Sequence, residues 1–257
     1  FEQSGIYTAF QQNGTINIWN NLIYDFNKFG IDEASYFVGG SPGGVYFYNN
    51  TIVDVAAGIR IRGFGADGKR AYAKNNIVQG ATTRGFDGTG LAPYFGGTFE
   101  ASSTNNLSNL ADAPGLFPQN SKTVSFVNAA GDDFRLAQND FTARGKGVDL
   151  SADSALALSD DMQGNTRESV WDIGADERNA VQIYRSLGVN ASALVTGAGN
   201  GLTISGNIVT FASALPNNVG VGDAIQYDSD NNNSIDKIMF IQSRDNANNR
   251  IYTVKKA

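Results

Sequence analysis

At 257 residues and 41% hydrophobic side chains the chain is long enough for one large or two ordinary domains with a substantial core, and a net charge of −6 leaves no clustered Lys and Arg for phosphate. Nucleic acid and anionic membrane surfaces are therefore not expected partners. With no Cys and no His there are no disulfides, no thiolate or imidazole metal sites, no cysteine nucleophile and no His-dependent triad. No run of about 18 apolar residues is present, so no membrane span is expected. Thirty Gly, sixteen Phe and ten Tyr, with almost no helical periodicity, predict an all-β chain rich in turns. The chain starts at Phe1 with neither Met nor a signal peptide and stops shortly after a strand pattern, as expected of a mature or trimmed piece of a longer protein.

The first half is organised by a repeat. Ile16-Asn17-Ile18-Trp19-Asn20-Asn21-Leu22-Ile23-Tyr24 recurs as Val45-Tyr46-Phe47-Tyr48-Asn49-Asn50-Thr51-Ile52-Val53 and as Ala71-Tyr72-Ala73-Lys74-Asn75-Asn76-Ile77-Val78, with a weaker copy ending Thr104-Asn105-Asn106-Leu107. The Asn pairs begin at 20, 49, 75 and 105, a spacing typical of stacked repeats. Each copy alternates with the two-residue period of a strand, and no segment between copies could be a crossover helix. A parallel β-helix follows, with Ile16, Val45 and Ala71 in one inward column and Ile18, Phe47 and Ala73 in another. Asn tolerates left-handed backbone, and stacked amides bond from one repeat to the next, so the Asn pairs are read as a structural ladder. Ala56–Gly63 is a further strand with Ile59 and Ile61 inward and Arg60 and Arg62 outward.

The same phase turns Trp19, Tyr46, Tyr48 and Tyr72 outward, into columns that could bind the apolar faces of sugar rings. The alternative is that a loop or the closing segment of the chain covers these rings. A lyase-type site would need a carboxylate cluster and a basic residue on the outer face, for which only Arg60 and Arg62 with Asp32 or Asp54 are available. Solvated salt bridges are the plainer expectation. Asp32 and Glu33 are adjacent and diverge on a strand, which does not suit a glycosidase pair.

From about 130 the text changes. Asp133-Phe134-Arg135-Leu136, then Asp161-Met162-Gln163-Gly164-Asn165-Thr166-Arg167 and Trp171-Asp172-Ile173-Gly174-Ala175-Asp176-Glu177, resembles the end of secreted bacterial right-handed parallel β-helix proteins. These belong to the pectate-lyase-like superfamily, and the likeness is to members with a choice-of-anchor type terminal region. The resemblance implies a secreted or cell-surface β-helix, residues 1–178, whose last turn this segment closes, with Trp171 and Ile173 plugging the interior. It implies no activity, because that superfamily holds lyases, hydrolases and adhesins alike. Arg167 is expected to pair with Asp161, Asp172 or Glu177.

Residues 179–257 read as a small β-sandwich or barrel. A short helix is expected near Val181–Leu187, then a hairpin over Leu202–Phe211 turning at Ser205-Gly206-Asn207, then strands near 222–227, 237–241 and 250–254. Asp228, Asp230, Asn232, Ser234 and Asp236 occupy positions 1, 3, 5, 7 and 9 of a calcium-loop pattern, with Asn233 at the usual Gly and Met239 at the usual bidentate Glu. Weak calcium binding or a solvated turn are the two readings. The functional expectation is an extracellular non-catalytic surface module that meets glycans, neighbouring copies or other domains, the rival being a polysaccharide lyase or glycoside hydrolase.

Overall fold

A computed structural model describes residues 3–8, 11–12, 14–34, 36–37, 44–62, 70–89, 97–137, 139–167, 170–178, 182–185, 193–196, 200–229 and 235–256. The chain is all-β, with parallel sheets in its first half and an antiparallel sheet in its second. It divides into two compact units, one of residues 1–124 and 146–177 and the other of residues 125–145 and 178–257. Residues 125–145, which the sequence places in the first domain and mostly in its closing segment, group with the second unit, and their strands Phe126–Asn128 and Asp133–Leu136 pair antiparallel, unlike the repeats.

In the first unit the repeats pair in the phase that the sequence dictates. Ile16 lies beside Val45 and Val45 beside Ala71, while Ile18, Phe47 and Ala73 form the next inward row. Two further parallel sheets follow the same order. One holds Leu22–Tyr24, Thr51–Val53, Ile77–Gln79, Leu107–Ser108 and Gln119–Asn120. The other holds Ser4–Thr8, Phe29–Glu33, Ala57–Ile61 and Arg84–Asp87. All three sheets contribute to one apolar core that includes Ile18, Phe47, Ile52, Ile59, Val78 and Phe86. At about 25 cal/mol per Å² of apolar surface, that shared burial is the main stabilising term for strands of three to five residues.

The corners explain the Asn pairs. Asn20, Asn49, Asn75 and Asn105 have φ of 53°, 53°, 55° and 52°, the left-handed turn that Asn accepts more readily than most residues. The second member of each pair points inward. Asn21 Nδ2 donates to Asn50 Oδ1 at 2.9 Å, Asn50 Nδ2 to Asn76 Oδ1 at 3.0 Å, and Asn76 Nδ2 to Asn106 Oδ1 at 2.9 Å. A second corner repeats the device with Asp25, Asp54 and Gly80, all at positive φ, and a Cβ on Gly80 would lie 2.1 Å from Asp54 Oδ1.

Among the described residues, the second unit has, besides the Phe126–Asn128 and Asp133–Leu136 hairpin, seven strands in one antiparallel sheet. Their order is Val195–Thr196, Gln182–Arg185, Asp223–Tyr227, Lys237–Arg244, Ile251–Lys256, Ile208–Phe211 and Leu202–Ser205. Gln182–Arg185 falls where a helix was expected, and pairs with strands on both sides. The hairpin turn at Gly206, φ 60°, is as expected. Val209, Phe211, Ile225, Met239, Tyr252 and Val254 form its core.

Candidate functional site

The outward tyrosines are the seat of another part of the same unit. Tyr46 and Tyr72, in register on neighbouring strands, stack with ring centroids 4.9 Å apart and planes within 6°. Tyr48 meets Tyr46 edge-on at 5.8 Å and joins a cluster with Leu150, Leu158 and Trp171, against which Val148 and Leu156 also pack. The segment 146–177 thus lies along the flank of the repeats as a strap. Of the four aromatics expected to form a sugar platform, Tyr48 is 1% exposed and Tyr46 and Tyr72 are half-buried, whereas Trp19 is 43% exposed. Trp171 is in this outer cluster and does not plug the interior, because the strap crosses the side of the repeats and not their end.

Polar groups tie the strap down repeat by repeat. Asn105 Nδ2 donates to the Lys146 carbonyl at 2.7 Å and Asn20 Nδ2 to the Asp160 carbonyl at 2.9 Å. Asn75 is reciprocal, donating to the Val148 carbonyl and accepting from the Val148 amide, both at 2.8 Å. Asn49 is fully buried, with no partner for its amide among the described residues. Lys74 Nζ reaches Asp153 Oδ2 at 2.6 Å, and the Tyr48 hydroxyl donates to Asp153 Oδ1 at 3.5 Å. Burial, with the Asp153 charge beside it, pushes the Tyr48 hydroxyl well above the usual phenol range.

The strap's own turn is held by Arg167. Its Nε donates to the Asp160 carbonyl at 3.0 Å, its Nη2 to the Gly174 and Ala175 carbonyls at 2.9 and 3.2 Å, and its Nη1 to Glu177 Oε2 at 2.9 Å. Of the three acids that the sequence offers Arg167, the ion pair is with Glu177. Burial, together with the Asp172 charge, raises the Glu177 carboxyl to about 8 despite Arg167.

Asp32, Arg60 and Arg62, the residues the sequence could offer for lyase chemistry, form a closed ion-pair cluster. Asp32 lies beside Arg60 across the parallel strands. Arg60 donates Nε to Oδ1 at 2.9 Å and Nη2 to Oδ2 at 2.8 Å, and Arg62 makes the same two-pronged contact, with its Nε 3.1 Å from Oδ1. The Arg60 guanidinium also lies 3.4 Å above the Phe29 ring, and both Asp32 and Arg60 are buried, not solvated as a surface pair would be. Burial alone would raise the Asp32 carboxyl, but the two guanidiniums more than offset it and hold it below the usual carboxylate range. A carboxylate so engaged is a poor base, and an arginine so paired is not poised to lose a proton. Asp54 stands apart, exposed at the positive-φ corner.

In the second unit, Asp230, Asn232 and Ser234 of the expected calcium loop lie outside the described residues. Asp228 is buried with its Oδ2 3.0 Å from Arg178 Nη1. Asp236 accepts hydrogen bonds from the amide and hydroxyl of Ser229, each at 2.8 Å, with Lys237 Nζ at 3.3 Å. Among the described residues no group of three or more acidic side chains converges as a metal site would require.

Sequence reasoning missed a recess of about 420 Å³ in the second unit, lined by Asn139, Leu202, Thr203, Ile204, Tyr227, Asp228 and Ser229. Asn139 sits in a polar stretch with no periodicity, so only the fold brings it to the hairpin. No family model, no curated protein and no solved structure matches the chain.

Proposed function

We propose that the chain is a non-catalytic surface module. Its first unit is a right-handed parallel β-helix of the pectate-lyase-like kind, closed along its flank by residues 146–177, and its second is a small β-sandwich or barrel domain. The sequence resemblance supports a secreted or cell-surface location, and the partners are glycans or neighbouring copies and domains of a larger assembly. Registered repeats around one core, the Asn ladder and parallel sheets in repeat order support the architecture. The observation that carries the functional reading is the doubly bidentate Asp32 cluster: the acid and base that a lyase would need neutralise each other. The outward tyrosines are likewise occupied in seating the strap. In the second unit, the loop from Asp228 to Asp236 takes calcium weakly as a structural ion.

Incubation with a panel of neutral and uronic-acid polysaccharides in millimolar calcium tests this reading. The module leaves every polymer intact; new unsaturated or reducing ends would establish the alternative, a polysaccharide lyase or glycoside hydrolase.

A further inference from the structure

The antiparallel sheet of the second unit has one edge at the hairpin over Leu202–Ser205 and Ile208–Phe211. Leu202–Ser205 ends the sheet, pairing among the described residues with Ile208–Phe211 alone. The Ala212 amide donates to the Gly201 carbonyl at 2.9 Å, which fixes the alternation of the ladder. Thr203 and Ser205 therefore turn their peptide groups toward Ile208–Phe211, and Leu202 and Ile204 turn theirs toward the edge. Those two residues line the recess of about 420 Å³ together with Asn139, Thr203, Tyr227, Asp228 and Ser229.

A second recess of about 140 Å³ shares Asn139, Leu202 and Thr203 with the first and adds Phe141, Thr210 and Arg250 to the lining. The shared residues make the two recesses neighbours along one hairpin. Phe141 is 48% exposed, so a large part of its ring surface is open. Thr203 and Thr210 stand opposite each other across the hairpin.

We propose that these adjoining recesses bind a short glycan, with one ring in each. A sugar ring needs an apolar surface for its C–H face and fixed donors and acceptors for its hydroxyls. Phe141 supplies the first in the smaller recess, as does the half-buried Ile204 in the larger. The Asn139 amide, the hydroxyls of Thr203, Thr210 and Ser229, and the peptide groups of the edge supply the second. Charge points the same way: Asp228 is balanced by Arg178, leaving Arg250 as the one net cation among the described lining residues, too little for a polyanion. An extended peptide fits less well, since the edge presents the peptide groups of only two residues of the strand, Leu202 and Ile204, and strand addition uses a longer run.

The site is independent of whether the first unit is catalytic, and its test does not read catalysis. Cellotetraose and tetragalacturonate are titrated to about 10 mM, within the weak range of single-site sugar binding, into the isotope-labelled full chain while amide shifts are followed. The inference expects saturable shifts of the Asn139, Phe141, Thr203 and Thr210 amides with at least one sugar. Affinity should fall about tenfold or more in Phe141→Ala and in Thr203→Val, substitutions at exposed positions that leave the core intact. Arg250→Gln should weaken the acidic sugar alone. Absence of shifts at these amides with both sugars, or shifts that persist unchanged in Phe141→Ala and Thr203→Val, overturns it.

Discussion

Asn50 Nδ2 lies 3.0 Å from Asn76 Oδ1, and both side chains are completely buried. Asn76 also accepts from the Asn50 amide at 3.1 Å and donates to the Phe47 carbonyl at 2.7 Å and to Asn106 Oδ1 at 2.9 Å, so one side chain serves polar groups on the repeats to either side. Each buried polar group left without a partner costs about 1–3 kcal/mol. Asn76→Ala should therefore destabilise the first unit by roughly 3 kcal/mol or more in urea unfolding. Asn49→Gly should stay within about 1 kcal/mol of wild type, because glycine accepts φ 53° and the buried amide it removes has no partner among the described residues. Equal costs for the two would deny the ladder its role.

Arg167 and Glu177 are partners of unequal importance. Arg167→Met removes donors to four backbone carbonyls and should cost about 3 kcal/mol or more, since each buried carbonyl left without a donor costs about 1–3 kcal/mol. With its carboxyl raised from 4.5 to about 8, Glu177 is largely protonated near pH 6, and Glu177→Gln should cost under about 1 kcal/mol there. The sign follows: a raised folded value gives stability that is complete below 4.5 and is lost as pH rises through about 8. Thermal unfolding of wild type and Glu177→Gln at pH 5 and pH 9 should show the wild type losing relative stability at the higher pH.

Asp32 has the opposite sign. Its carboxyl is held below 3.8 when folded, so its stabilisation is complete above that value and is lost as pH falls through the lower folded value. Asp32→Asn should flatten that acid limb and cost about 3–5 kcal/mol at pH 7, because two guanidiniums lose their shared partner. The measurement is unfolding free energy against pH for both proteins; an unchanged acid limb would mean that the cluster does not titrate with folding.

Arg178 competes with any cation for Asp228. Millimolar calcium should raise the melting temperature of wild type only slightly, and that of Arg178→Gln more, since the ion then neutralises a buried carboxylate that has lost its arginine. A calcium-dependent rise of equal size in both proteins would place the ion away from Asp228.

Much of the first unit is legible in the sequence because a two-residue period and a repeat spacing are local signals. The Ile16, Val45 and Ala71 column and the inward Asn ladder are read directly from them. What the repeat does not reveal is how the two members of each pair divide their work. Asn20 meets Asp160 and Asn105 meets Lys146, partners 140 and 41 residues away in a strap without period. The same long reach hides the covering of Tyr48 and turns Trp171 from an expected end plug into part of the flank. Gln182–Arg185 misled for another reason: a short apolar run reads as helix or strand until its neighbours on both sides pair with it. The edge recess has no local signature, being assembled from Asn139, Leu202 and Tyr227.

The claim that the outward column is a seat and not an open binding face is tested most directly by amide hydrogen exchange along the strap. The Val148 amide is donated to Asn75 Oδ1 at 2.8 Å, Gly174 to the Asn75 carbonyl at 2.8 Å, and Ala175 to Thr51 Oγ1 at 2.9 Å. If the strap is part of the fold, these amides exchange as slowly as those of Ala73 and Ile77 on the strands beneath, through the same unfolding event. Exchange of Val148, Gly174 and Ala175 about a hundredfold or more faster than Ala73 and Ile77 would show the strap opening over Tyr46, Tyr48 and Tyr72, and would contradict the account.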